Sequence, residues 1–102
     1  MPGKLVRDKI PALIEKSGEK LNIRILDAEE YRYHLEKKLD EEVAEYHKDK
    51  NIEELADILE VVYALNETLG HTRQDLLEAY DKKHAQRGGF SDRIFLISKE
   101  SL

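Results

Sequence analysis

The 102-residue chain has no cysteine and no tryptophan, and it has only two prolines and five glycines. Without cysteine it forms no disulfide and offers no thiolate to a metal ion, so metal ligands must come from His, Asp, Glu or the backbone. The longest nearly apolar run, residues 58–65, contains Glu60 and is far shorter than the roughly 20 residues that span a membrane. We therefore expect no membrane span.

The N-terminal residues also lack the apolar stretch, about 7 to 15 residues long, of a secretory signal, which favours a soluble cytoplasmic protein. The charge balance is acidic, with 17 Lys and Arg against 22 Asp and Glu and a formal net charge of -5. Such a chain offers no general basic surface to DNA or RNA, so we expect no nucleic-acid polymer as a partner. A smaller polyanion would need cations between itself and the protein.

The length predicts one domain over residues 1–102 with a modest core, so that a site lies between elements or between subunits. Hydrophobic residues make up 40% and charged residues 38% of the chain, which is typical of highly charged amphipathic helices. Apolar spacing, cap signals and glycine stops predict four helices: residues 6–16, 28–47, 52–69 and from Thr72 to the Gly88-Gly89 stop. Residues 48–50 are the predicted break between the second and third helices. The fold class is all-α, a helical bundle.

Two apolar stretches lie outside these helices. Residues 21–26 alternate apolar and polar side chains, which predicts a short extended segment. Residues 94–97 are apolar throughout and fit either a short strand or a clamp across the bundle.

The second helix has a carboxylate on its apolar face. At about 100° per residue, Glu42 falls near -20° from Leu35, inside the arc that also holds Ala28, Tyr31, Leu39 and Tyr46. An unpaired buried carboxylate costs several kcal/mol or becomes protonated. Glu42 therefore needs a partner, which is either Lys38 one turn earlier or a metal ion.

The short break makes the second and third helices antiparallel neighbours, which brings Glu42 and Glu45 close to Glu54 and Asp57. Four carboxylates about 4 to 6 Å apart repel one another, and either raised pKa values or hard cations relieve that repulsion. Oxygen ligands alone favour Mg²⁺, with Mn²⁺ as a substitute. The alternative is that these acids are solvated, with Glu54 serving in a helix cap and Lys38 forming an ordinary pair with Glu42.

The run Glu41-Glu42-Val43-Ala44-Glu45, followed by Glu54-Leu55-Ala56-Asp57, resembles the EExxE…ExxD signature of the MazG-like all-α nucleoside triphosphate pyrophosphohydrolases. Residues 4–11, 87–90 and 93–96 look like the subgroup labelled phosphoribosyl-ATP pyrophosphohydrolase-like. The likeness covers nearly the whole chain. Only eight positions separate Glu45 from Glu54, near or below the short end of the superfamily's spacing, so base specificity is not carried over.

The resemblance implies that Glu42, Glu45, Glu54 and Asp57 bind magnesium, and that Glu41 is a further ligand or orients the attacking water. It also implies a homo-oligomer, most simply a dimer, with substrate near the subunit interface. The wide apolar arc of the third helix independently predicts such an assembly. Cations near the acids would complete a phosphate cradle, and the candidates are Arg7, Lys9, Lys38, Lys83 and Arg87.

Two hypotheses follow. The first is a magnesium-dependent pyrophosphohydrolase that cleaves the α-β phosphate bond of a nucleoside triphosphate or related nucleotide. The second is a helical dimerisation or regulatory module that binds metal or nucleotide without turnover. Glu42 favours the enzyme, because a pure association surface would do better with Leu at that position. The absence of a GxxxxGK[ST] loop disfavours release of the γ-phosphate.

Overall fold

The computed structural model describes residues 3–100, which contain four helices and no strand. The helices are α1 (Ile10–Lys16), α2 (Ala28–Asp49), α3 (Ile52–Thr68) and α4 (Arg73–Arg87). The chain forms two compact units, one that ends at His71 and one that begins at Thr72. The first unit holds α1 to α3 and the second holds α4. The predicted all-α class is confirmed for the described residues.

Reciprocal side-chain caps fix the starts of α2 and α4. The Asp27 carboxylate accepts a hydrogen bond from the Glu30 N–H at 2.8 Å, and the Glu30 carboxylate accepts one from the Asp27 N–H at 3.4 Å. Thr72 and Asp75 make the same exchange at 3.1 and 2.9 Å. Each cap satisfies two backbone donors that the first helical turn leaves unpaired. Both predicted starts are therefore confirmed.

Helix α1 is shorter than the sequence predicts, because it begins at Ile10 rather than at Val6. Pro11 lies in its first turn. Proline lacks a backbone N–H and its ring collides with the carbonyl four residues earlier, so it is tolerated only where that donor would be unpaired anyway. A helix starting at Val6 would have placed Pro11 in its interior.

The connection between α2 and α3 consists of Lys50 and Asn51. Lys50 adopts the left-handed conformation, with φ 47° and ψ 50°, which ends α2 at Asp49. The helix therefore continues two residues beyond the predicted His47, and the break is later than predicted. Asn51 then starts α3, since its side-chain oxygen accepts the Glu54 N–H at 3.0 Å.

Helices α2 and α3 pack against each other and provide the core of the first unit. Leu35 of α2 and Val61 of α3 are the buried apolar side chains among the described residues, and Asn66 is also buried. The predicted buried arc of α2 is confirmed at Leu35, with Tyr31, Leu39 and Tyr46 half-buried, whereas Ala28 at the helix start is exposed. At the other end of this packing, the Arg32 guanidinium donates to the Thr68 carbonyl at 3.3 Å.

Helix α3 has two apolar sides, and only one of them is covered within the chain. Val61 is buried and its neighbours Ile58 and Leu65 are half-buried. Ile52, Leu55 and Leu59, at helical spacing on another side, remain 76%, 50% and 48% exposed. We call these three side chains the exposed face of α3. They leave an apolar strip that the described part of the first unit does not cover.

The segment at residues 21–26 is irregular, and it is tied to α2 by Arg24. Its guanidinium donates to both Glu30 oxygens, at 3.1 and 2.6 Å. In the second unit, residues 94–97 form no strand and their side chains are exposed, so the strand interpretation is wrong. Within residues 3–100, no helix combines the length and the apolar character that crossing a membrane requires.

Candidate metal and phosphate site

Three carboxylates from α2 and α3 meet beside the short connection. Glu42, Glu54 and Asp57 are half-buried, and each offers an oxygen within 4.8 Å of the others. Glu54 and Asp57 are three residues apart and so lie on one side of α3. Glu42 is two turns beyond buried Leu35 on α2, which directs it to the same contact. We call these three residues the inner acid group.

A second group consists of Glu45, Asp49 and Glu54, whose oxygens also lie within 4.8 Å of one another. Glu45 and Asp49 are exposed, and Glu54 belongs to both groups. Asp49 was not among the ligands predicted from the sequence, although it follows Glu45 by four residues and therefore shares its side of α2. The structure thus brings together the four predicted ligands, with Glu54 at the centre and Asp49 as an addition.

Crowding of the carboxylates affects the pKa of Glu54. Its pKa is raised from the ordinary 4.5, first because the carboxyl is partly desolvated and then because Asp57, Asp49, Glu45 and Glu42 are negatively charged. Asn51 caps α3 through its own side chain, and the Glu54 carboxylate gives no reciprocal cap, unlike Glu30 and Asp75. A divalent cation would reverse this shift, because it would favour the ionised form.

Lys38 provides a cation for Glu42. Its ammonium nitrogen lies 3.9 Å from Glu42 Oε1 and 3.7 Å from Glu41 Oε2. The Glu42 side chain is only 16% exposed, so this ion pair is partly shielded from water. The sequence left open whether Lys38 or a metal ion accompanies Glu42, and the structure shows that the lysine is in place. Glu41 is largely exposed and belongs to neither acid group.

Arg7 reaches the inner acid group from the N-terminal segment. Its Nη2 atom donates to Asp57 Oδ1 at 2.5 Å, and both side chains are about half exposed. This contact joins residues 50 positions apart, and it brings one predicted phosphate-binding cation to the carboxylates. The other three predicted cations are exposed, Lys9 at the start of α1 and Lys83 and Arg87 on α4 in the second unit.

A groove of about 830 Å³ has Arg7 in its lining. It is bounded by the N-terminal segment, α1, residues 21–26 and the first turns of α2. Most of its lining is aliphatic, and Tyr31 and His34 contribute two rings. This groove was not predicted from the sequence, because the segments that line it share no periodicity.

Comparison with known proteins gives little further information. No protein-family model matches the chain, and no solved structure matches it. An uncharacterized protein from Mycolicibacterium smegmatis is 58% identical over 41 residues, which are 40% of this chain and 42% of that protein. The chain thus matches less than half the length of this relative, whose name gives no activity.

Proposed function

We propose that the protein is a magnesium-dependent nucleotide pyrophosphohydrolase of the MazG-like type. It would hydrolyse the α-β phosphate bond of a nucleoside triphosphate or related nucleotide, and release pyrophosphate and a monophosphate. The observation that carries the proposal is the inner acid group: Glu42 of α2 and two acids of α3, brought within 4.8 Å of one another. This is the placement expected of an antiparallel acidic hairpin.

The residues fit the ion that the proposal requires. All ligand atoms are carboxylate oxygens, which suit Mg²⁺ or Mn²⁺ and disfavour the softer metals that take sulfur or nitrogen. The pKa of Glu54 is raised, first by partial desolvation and then by the neighbouring carboxylates, and a bound cation would oppose this shift. Glu42, Glu54 and Asp57 would hold one ion, and Glu45 with Asp49 would extend the site. A bound ion supplies charge neutralisation for phosphate oxygens and activates water.

Arg7 is our first candidate for binding the substrate's phosphates. Its pair with Asp57 is half-exposed, and a solvated ion pair contributes little free energy, so the guanidinium exchanges partners at low cost. The planar guanidinium donates two parallel hydrogen bonds to phosphate oxygens, which fixes orientation as well as charge. Lys9 of the first unit remains our candidate for a further phosphate contact, and the roles of Lys83 and Arg87 remain predictions from the sequence.

Glu41 and Lys38 have separate parts in this proposal. Lys38 lies beside Glu42 and keeps N–H donors that could contact phosphate oxygens. Glu41 belongs to neither acid group, so in this proposal it does not hold the ion and is our candidate to accept a proton from the attacking water.

The exposed face of α3 supports a homo-oligomer, most simply a dimer. Ile52, Leu55 and Leu59 form a strip that another copy would cover, and the described residues provide only a small core. The same strip favours the second candidate, a dimerisation module without turnover. Glu42 distinguishes the two candidate functions. A half-buried carboxylate among other acids costs free energy and would not strengthen an association surface.

The direct test is release of pyrophosphate from a panel of nucleotides with magnesium present. Glu42→Gln keeps the size of the side chain and removes its charge, so activity should fall by orders of magnitude while helix content survives. Glu36→Gln, an exposed change on the same helix outside both acid groups, is the control and should retain activity. Wild-type turnover by Glu42→Gln at limiting magnesium would contradict the assignment.

A further inference from the structure

The groove beside Arg7 has the size and lining of a small-molecule site. Its volume of about 830 Å³ lies within the range of about 300 to 1,000 Å³ that such sites occupy. Leu5, Ile10, Ile14 and Leu21 give it an aliphatic lining. An occupant of this groove must therefore present a large apolar surface.

One wall of the groove carries two rings. Tyr31 and His34 are three residues apart on α2, so they lie on the same side of the helix, and both are half-buried. The pKa of Tyr31 is raised, first by burial and then by the charges of Glu67 and Asp8, so the phenol stays neutral at physiological pH. Rings held in this way offer stacking surface to a flat unsaturated group and one hydroxyl for a hydrogen bond.

The groove lining also offers backbone groups. Residues 21–26 line the groove and make no backbone-to-backbone hydrogen bond with other described residues. The Arg24–Glu30 pair holds this segment against α2. These backbone N–H and C=O groups make no hydrogen bond within secondary structure. They can therefore donate to and accept from the polar edge of a heteroaromatic ring.

Arg7 connects the groove to the acids. It lines the groove and also donates to Asp57 of the inner acid group. Lys4 adds a second positive charge to the groove wall. An occupant with a flat ring at one end and anionic oxygens at the other would thus place the oxygens at Arg7.

We infer that this groove holds the heteroaromatic base and sugar of the nucleotide, and that the phosphates pass Arg7 to reach the inner acid group. The inference rests on the proposed function, since it assigns the two ends of the same substrate. It makes residues 21–26, Tyr31 and His34 the determinants of which base is accepted.

The test measures base binding without phosphate or metal. Adenosine, guanosine, cytidine and uridine are each added to the full-length protein in EDTA, and saturation transfer from protein to the base protons is recorded by NMR. Ile23→Asn changes a groove residue that is 67% exposed, so folding should be unaffected. Leu13→Asn is the control, since Leu13 is 58% exposed on α1 and does not line the groove.

At least one nucleoside should show saturation of its base protons. Ile23→Asn should weaken its binding by about fivefold or more, because part of a buried apolar contact is lost, and Leu13→Asn should not. In the hydrolysis assay, Ile23→Asn should raise KM for the preferred nucleotide with little change in kcat.

The possible failures are distinguishable. Saturation that depends on Ile23, without magnesium-dependent hydrolysis, would support the groove assignment and contradict the pyrophosphohydrolase. Two results would overturn the groove assignment without contradicting the pyrophosphohydrolase. One is hydrolysis without saturation transfer to any nucleoside, and the other is hydrolysis with nucleoside binding weakened equally in Ile23→Asn and Leu13→Asn.

Discussion

Replacing Glu54 with Gln should stabilise the metal-free protein and, if the acid groups bind magnesium as proposed, remove most of the stabilisation by magnesium. The pKa of Glu54 is raised above 4.5 in the folded chain, so the folded state binds this proton more tightly than the unfolded state. Stability therefore falls as the pH rises from below 4.5 through the raised value, and the penalty is present above that value. Gln keeps the shape and abolishes the penalty, while it removes the residue shared by both acid groups.

The size of the magnesium response follows from linkage. At a magnesium concentration about 100 times the Kd, binding to the folded state alone adds about 2.7 kcal/mol to the free energy of unfolding. With an unfolding entropy of about 2.1 cal/mol/K per residue, the Tm of a chain of 102 residues rises by about 13 °C. If the substitution weakens binding about a hundredfold, the same magnesium concentration raises the Tm by only about 2 °C.

Thermal unfolding followed by circular dichroism, with EDTA and then with increasing magnesium, measures both effects. The control is Glu53→Gln, which removes the same charge from the same first turn of α3 but lies outside both acid groups. Glu53→Gln should retain the rise in Tm with magnesium. Both substitutions remove a charge near the start of α3, so any change in the interaction with the helix dipole is common to them. A Glu54→Gln protein with the wild-type response, or with a metal-free Tm below that of Glu53→Gln, would refute the reasoning.

Two further predictions concern assembly and pH. Leu55→Glu places a charge in the exposed face of α3 and should convert the proposed oligomer to monomer. Light scattering at micromolar concentration measures this change. A wild-type protein that is already monomeric would contradict the proposed oligomer. The pKa of Glu30 is lowered to about 2 by its hydrogen bonds with Arg24 and the Asp27 backbone, so the pair stabilises the fold above pH 4.5 and loses this contribution as the pH falls towards 2. The Tm difference between wild type and Arg24→Ala should therefore shrink over that interval, and a constant difference would contradict the role of the ion pair.

The helix starts and the acid cluster were predictable because their signals are local. Asp27 with Glu30 and Thr72 with Asp75 encode their caps within four residues, and these hydrogen bonds form as predicted. Helical periodicity also placed Glu42 on the inner side of α2, where it is half-buried. The prediction of α1 went wrong where two local signals conflicted, since apolar spacing favoured an early start and Pro11 imposed a later one.

The remaining features depend on contacts that no short pattern contains. Lys50 ends α2 in a left-handed conformation that is uncommon for a residue other than glycine, so the position of the break followed no sequence rule. The pairing of Arg7 with Asp57 joins segments 50 residues apart. Helix α3 is apolar over so wide an arc that periodicity alone could not choose between the side with Val61 and the side with Leu55.

The bond that is cleaved tests the central claim most directly, and hydrolysis in oxygen-18 water identifies it. If the acidic residues of α2 and α3 act on the α-phosphorus, water attacks there and pyrophosphate leaves as a unit. The label then appears in the nucleoside monophosphate, and the pyrophosphate remains unlabelled. Labelled orthophosphate together with nucleoside diphosphate would show attack at the γ-phosphorus and would contradict the proposed pyrophosphohydrolase, even if hydrolysis required magnesium.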